Sequence, residues 1–324
     1  MWLNEALKSS SHEETVVPNE FGKQIRDNAM AITQQSKATD GQVKQISRFG
    51  SDAIDKVLVE LGLDNPGAQR VIEHGDEFTL AIRNAALASI KDLSVSDKYK
   101  NEEVKSKYGY LSGYKPKSVV EQHNILQQLF PKVIGIVEES IAEGQLPAGA
   151  EGWFVIPKWQ NFASTYGEAV EVVLDTIKQT RGKFYNYLEG QLGSEYLRQS
   201  ARTEKLFQQL SEAQGNPDLL VVPGQFGLNH RGRSVRRVRE VFTTSEVGLG
   251  AFAVGIMILT HPERLQNVDD LWIDCAGDEY TPVAGGGFSG APYFRFSDGR
   301  VGFGTGWLSR ASERFGSASA FLPQ

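Results

Sequence analysis

Five arginines fall within one short run: Arg231, Arg233, Arg236, Arg237 and Arg239. A guanidinium is a planar fork that pairs two acceptors at once, whereas a lysine ammonium is a hydrated point charge. The bias covers a whole region. The last lysine is Lys205. The 119 residues after it contain 10 arginines and no lysine, against 17 lysines and 7 arginines in the preceding part. Read as a helix from Arg233, the segment places Val235, Val238 and Phe242 on one face and clusters Arg233, Arg236 and Arg237 on another. That face suits phosphate or carboxylate groups, carried by nucleic acid, a nucleotide or an acidic protein surface. The competing use is internal, because residues 215–324 also hold 11 Asp and Glu side chains.

A second cluster runs from Asp269 to Glu279 and contains Asp270, Asp274, Cys275 and Asp278. Cys275 is the single cysteine. A lone cysteine with histidines elsewhere is a nucleophile pattern, with His230 or His261 as base and Asp274 or Asp278 orienting it. On a strand, Asp274 and Cys275 point to opposite faces, and a free cysteine often packs as a small hydrophobe. The acids do not have EF-hand spacing. The histidines His12, His74, His123, His230 and His261 are scattered singly along the chain, so neither a metal site nor a cofactor is expected.

The third feature is the glycine-rich run Gly285–Pro292. It satisfies G-x-G-x-x-G, but a proline and a strand-like run follow it rather than a helix, which excludes a dinucleotide loop. Gly287-Phe288-Ser289-Gly290-Ala291-Pro292, with the downstream Asp298-Gly299-Arg300-Val301-Gly302, resembles the surroundings of the nucleophile in chymotrypsin-like proteases. The resemblance implies Ser289 as nucleophile. It covers only the stretch from Gly285 to Gly302, and His261 lies too close upstream for that family's architecture. The mostly helical sequence before it departs from that family's two all-β barrels. A flexible glycine loop between strands is the other reading.

These residues must be positioned by elements the pattern also announces. Residues 1–18 read as a loosely ordered tail and 19–147 as a helical domain. In the latter, Phe21, Ile25, Ala29 and Ile32 recur at helical spacing from an N-cap at Asn19. A second helix is capped by Asp40 and closes at Gly62, with Phe49-Gly50 as an interruption. A third lies in residues 66–92, and 94–117 reads as a linker or exposed loop. A fourth helix begins at Ser118, with Pro131 kinking or splitting it. From 148 to 324 a mixed α/β domain is expected. Trp153–Ile156 is strand-like, and Thr243 with Glu246 has capping-box spacing before an apolar stretch ending at Leu259. A helix apolar on every side is a buried helix. Its glycines imply close contact with a neighbour. Asp298-Gly299 marks a hairpin, and Phe315–Gln324 should be tucked in.

The expected fold class is therefore α+β: a helical N-terminal unit, then a mixed α/β region with a small antiparallel C-terminal sheet around a buried apolar helix. Net charge is −6, which disfavours a generic nucleic-acid coat but leaves room for a local basic patch. No stretch reaches the ~20 apolar residues of a membrane span, and no secretory signal is visible, so the expectation is a soluble cytoplasmic protein. The leading functional expectation is a non-catalytic interaction module that grips an anionic partner, nucleic acid or acidic protein, through the arginine helix. The alternatives are a hydrolase-like enzyme using Cys275 or Ser289, and a structural component of a larger assembly with its N-terminal helices as interface.

Overall fold

The computed structural model describes residues 38–93, 96–132, 135–243 and 245–322. The expected tail and first helix, residues 1–32, lie outside them. The chain divides into two compact units at Ala86/Leu87. The expected boundary at 147/148 does not coincide with that division, because the segment from Ser96 to Pro147 belongs to the second unit.

The first unit holds α1 (Asp40–Leu61), α2 (Asn65–Glu73) and most of α3 (Gly75–Leu93). Thr39, not the expected Asp40, is the cap of α1, because its hydroxyl accepts the Gln42 N–H while the Gln42 side chain returns the bond, and Gly62 ends the helix at φ 54° as expected. The helix runs unbroken through Phe49-Gly50. A single exposed glycine costs a helix only about 1 kcal/mol.

The second unit carries α4 (Val119–Leu129), β1 (Gly152–Pro157), α5 (Tyr166–Arg181), β2 (Phe184–Asn186), β3 (Leu197–Gln199), α6 (Ala201–Ala213), β4 (Leu219–Gln225), α7 (Val235–Val241), β5 (Glu246–Gly248), α8 (Ala251–Thr260), β6 (Trp272–Asp274), β7 (Asp278–Tyr280), β8 (Gly290–Ser297), β9 (Arg300–Trp307), β10 (Phe315–Ser317) and β11 (Ser319–Phe321). Capping boxes start α4 (Ser118, Glu121) and α5 (Thr165, Glu168). α4 ends at Leu129, just short of Pro131, because the residue before a proline is pushed out of the helical region.

Two sheets result. One is antiparallel, in the order β1-β4-β11-β5. The other follows β10-β6-β8-β7-β3, with β9 pairing β8 and β2. The β8–β9 hairpin turns at Asp298 (φ 53°) and Gly299 (φ 70°), as the dipeptide predicts. The apolar helix α8 is buried at every position. A Cβ on its Gly255 would sit 2.5 Å from Val173 Cγ1 of α5, which is the close contact the glycines implied.

One local expectation fails. α8 begins at Ala251 after Gly250, not at a Thr243/Glu246 capping box. Residues 246–248 are strand β5, and Glu246 is buried. Its carboxylate is claimed by His230 Nε2 (2.7 Å) and Ser319 Oγ (2.6 Å), so it has tertiary partners in place of a helix terminus.

The cap of α8 comes instead from the start of β7, downstream of the helix. Asp278 Oδ2 accepts the Ala251 N–H at 2.7 Å, and Tyr166 Oη donates to Asp278 Oδ1 at 2.8 Å. Burial pushes the Asp278 carboxyl up to about 7, against the opposing pull of these hydrogen bonds.

Candidate functional site: an arginine and aromatic sheet face

The helical arginines are spent inside the molecule. Ser234 caps α7, which leaves Arg233 outside the helix expected to start with it; Arg231 lies outside as expected. Arg236 grips Glu102 through both Nε and Nη2, and that hydrogen bonding holds Glu102 below the usual carboxylate range. Arg237 is buried and pairs with Glu103 and Glu240 while donating to the Ser96 carbonyl. Arg233 lies 3.6 Å from Glu103. Arg239 donates to the carbonyls of Ala276 (2.9 Å) and Asp278 (2.6 Å), and the exposed Arg231 to that of Tyr108 (3.1 Å). Four of the five thus clamp the 96–108 segment onto the fold. The apolar side of α7 (Val235, Val238, with Phe242) packs on Ala276, Ala291 and Leu308.

The six residues considered for catalysis, Cys275, Ser289, His230, His261, Asp274 and Asp278, share no side-chain hydrogen bond among the described residues; the one link is between backbones, from the Asp278 N–H to the Cys275 carbonyl at 3.0 Å. Cys275 is fully buried, and burial pushes its thiol well above its ordinary value. His261 Nε2 accepts the Lys117 N–H at 2.9 Å, so that nitrogen carries no proton; burial lowers the imidazole to about 4. Arg233 can only donate, so His230 Nδ1 accepts from it (3.2 Å) and Nε2 carries the proton to Glu246. Ser289 sits at the mouth of a cleft with neither histidine beside it. Asp274 is buried at the end of β6. Among the described residues, no group of three or more His, Cys, Asp or Glu is placed to hold a metal ion.

Burial makes Cys275 testable at once. A thiolate-directed reagent at neutral pH is expected to leave the native protein unlabelled and to label it fully in denaturant. Labelling of the native protein within minutes would contradict this burial.

Of the other five arginines after Lys205, Arg264 is fully buried over Tyr110, Arg295 and Arg300 lie on the larger sheet, and Arg310 and Arg314 follow β9. Strand alternation sends Ile273, Phe294, Val301 and Phe303 into the core, each 1 % exposed or less. Register then fixes what faces outward. Tyr293 stands opposite Gly304, Arg295 opposite Gly302, Tyr185 opposite Gly302 and Trp272 opposite Phe315. Gly302, Gly304 and Gly306 form a bare stripe along β9, over which neighbouring side chains lie flat. Cβ atoms there would come within 3.1–3.4 Å of Tyr187, Tyr293 and Arg310.

Each outward arginine lies over a ring. Arg295 is 5.1 Å from the Tyr187 ring and 5.2 Å from Trp272; Arg300 is 4.8 Å from Tyr185. Arg310 is 4.1 Å from Phe315, and Arg314 is 5.1 Å from Tyr108. Arg314 has Asp269 at 3.9 Å. Among the described residues, no carboxylate pairs with Arg295, Arg300 or Arg310. Tyr185 and Tyr187 remain 45 % exposed. Two buried donors on this face, Arg295 Nε and Trp272 Nε1, have no hydrogen-bond partner among the described residues.

Asp274 lies under this face, paired in register with Tyr293 and Ser317. Burial raises its carboxyl to about 7, and the charge of Arg310 pulls the other way. A pKa raised on folding from 3.8 favours the native state below 3.8, and that advantage is lost as pH rises through 7. At 1.36 kcal/mol per unit the loss approaches about 4 kcal/mol. Asp274→Asn should therefore stabilise the protein relative to wild type more at pH 8 than at pH 4.5 in urea unfolding. An equal difference at the two pH values would show that the carboxyl titrates normally.

This face is not among the sequence candidates. Its signal in the sequence is period-2 alternation, Tyr293/Arg295 on one strand and Arg300/Gly302/Gly304/Gly306 on the next, but only pairing shows that the two sets share a side. Comparison with protein-family models, curated proteins and solved structures gave no match to this chain.

Proposed function

We propose that the protein is a non-catalytic interaction module that binds an anionic partner, single-stranded nucleic acid, on the outward face of the β8–β9 sheet. One observation carries this reading. Arg295, Arg300 and Arg310 lie against aromatic rings on a single face, and among the described residues none of the three forms a salt bridge, although the buried Asp274 carboxyl under the face feels the charge of Arg310. Guanidinium groups neutralise phosphates, and exposed rings stack on unpaired bases without reading sequence. An acidic protein surface would use the charges but leave the rings without a matching planar group. A net charge of −6 does not oppose this, because the field is set locally by where charges sit. A cytoplasmic setting belongs to the proposal and is supported by the single, unpaired cysteine. No helix among the described residues is long and apolar enough to cross a membrane.

The test is oligonucleotide binding titrated with salt. Wild type should bind single-stranded RNA or DNA with log affinity falling linearly in log salt. Arg295→Gln with Arg300→Gln should lower that slope by about 1.4, at about 0.7 per phosphate contact on a single strand. Arg236→Gln should leave the slope unchanged, since its charge is spent on Glu102. Absence of binding at low salt would reject the nucleic-acid reading, and an acidic protein partner would become the object of the search.

A further inference from the structure

A shallow cleft of about 260 Å³ opens at the end of β9, next to the arginine face. Tyr280 and Gly290, both buried, form its base, and Ser289, Thr305, Trp307 and Arg310 surround it. Trp307 is 64 % exposed, a large ring left in water at the end of a strand. The Arg310 guanidinium lies across Gly306, its Cζ 3.2 Å from where a Cβ would stand. Ser289 is held at the rim by both backbone groups: its N–H donates to the Tyr280 carbonyl (3.1 Å), and its carbonyl accepts the Leu308 N–H (2.9 Å). Its hydroxyl has no partner among the described residues. Thr305 Oγ1 donates to the Ala291 carbonyl at 3.1 Å, which leaves its lone pairs free to accept.

We propose that this cleft binds a single nucleotide, with the base against Trp307 and the phosphate on Arg310. The inference rests on the reading of the adjacent face as a single-strand site. Arg310 is shared between that face and the cleft, whereas Thr305 and Trp307 follow Val301 and Phe303 in the alternation along β9. A guanidinium recognises a phosphate through two parallel charge-assisted hydrogen bonds, and an indole offers the largest π-face for a base. Ser289 adds a hydroxyl able to donate to a phosphate oxygen. The nucleotide is either free in solution or the phosphorylated end of a strand; both present the same planar ring and phosphate monoester.

The experiment is calorimetric titration of the full-length protein with AMP, UMP, adenosine and inorganic phosphate. A short single-stranded RNA, with and without a 5′-phosphate, completes the set. AMP or UMP should bind, and adenosine or phosphate alone about tenfold more weakly, as expected when ring and charge both contribute. Trp307→Ala and Arg310→Gln should each weaken mononucleotide binding by about tenfold. A strand that binds better with its 5′-phosphate identifies the strand end as the source; equal strand binding alongside tight AMP or UMP identifies the free nucleotide. Strand binding without mononucleotide binding would overturn the cleft and leave the face intact. Mononucleotide binding unchanged in Trp307→Ala would also overturn it. Failure of both ligands would overturn the reading of the face itself.

Discussion

Asp278→Ala should cost about 2–4 kcal/mol of unfolding free energy, while Asp278→Asn should stay within about 1 kcal/mol of wild type. The Ala251 N–H and the Tyr166 hydroxyl both point at this carboxyl in a fully buried setting. Alanine leaves two buried donors without acceptors, and each such group costs roughly 1–3 kcal/mol. Part of the loss is offset at neutral pH, because the ionised form of Asp278 is itself disfavoured by burial. Asparagine keeps the shape and one acceptor for Ala251, and its amide can donate to the tyrosine oxygen. Denaturant unfolding at pH 6 reads both variants. Equal stability of the two would show that α8 is held by packing alone and that the cap contributes nothing.

Gly167→Ala should destabilise by about 3 kcal/mol or more, against the sign that helix propensity assigns. Gly167 lies in the first turn of α5, where alanine is ordinarily better by roughly 1 kcal/mol. Here a Cβ would fall 1.6 Å from the Leu192 carbonyl oxygen and 2.7 Å from its carbon. Both atoms are backbone, so no rotamer change relieves the overlap, and the loop after β2 must move off the helix. Overpacking of a filled interior costs typically about 1–3 kcal/mol and more when backbone is displaced. Gly50→Ala in α1 is the control, since nothing lies within 4 Å of that position. Thermal unfolding should show Gly167→Ala melting well below wild type and Gly50→Ala no lower. A neutral Gly167→Ala would mean that the loop yields freely.

The arginine-rich segment shows how far a composition signal reaches. Its five guanidinium groups were visible, and so was the amphipathic spacing of Val235, Val238 and Phe242. That spacing is local, and the helix formed with those residues against Ala276, Ala291 and Leu308. What the charged side would meet was not local. Glu102 and Glu103 lie far upstream in the chain, in a stretch that reads as a polar linker. A guanidinium opposite a carboxylate in the fold looks the same in sequence as one opposite solvent.

The same distinction separates the rest. The chain by itself determined what depends on neighbours within a few residues: the starts of α1 and α4 to within a residue, the Asp298-Gly299 hairpin, the buried apolar helix, and therefore the α+β class. The end of α4 before Pro131 is of this kind, because proline sterics act on the preceding residue. Tertiary structure alone decided the start of α8 and the fate of Glu246. A capping box stabilises by about 1 kcal/mol, less than pairing Glu246 with His230 and Ser319 and handing the helix terminus to Asp278. It decided the candidate site too, since strand pairing brings Arg295, Arg300 and Tyr185 onto one face, and sequence distance carries no trace of that register.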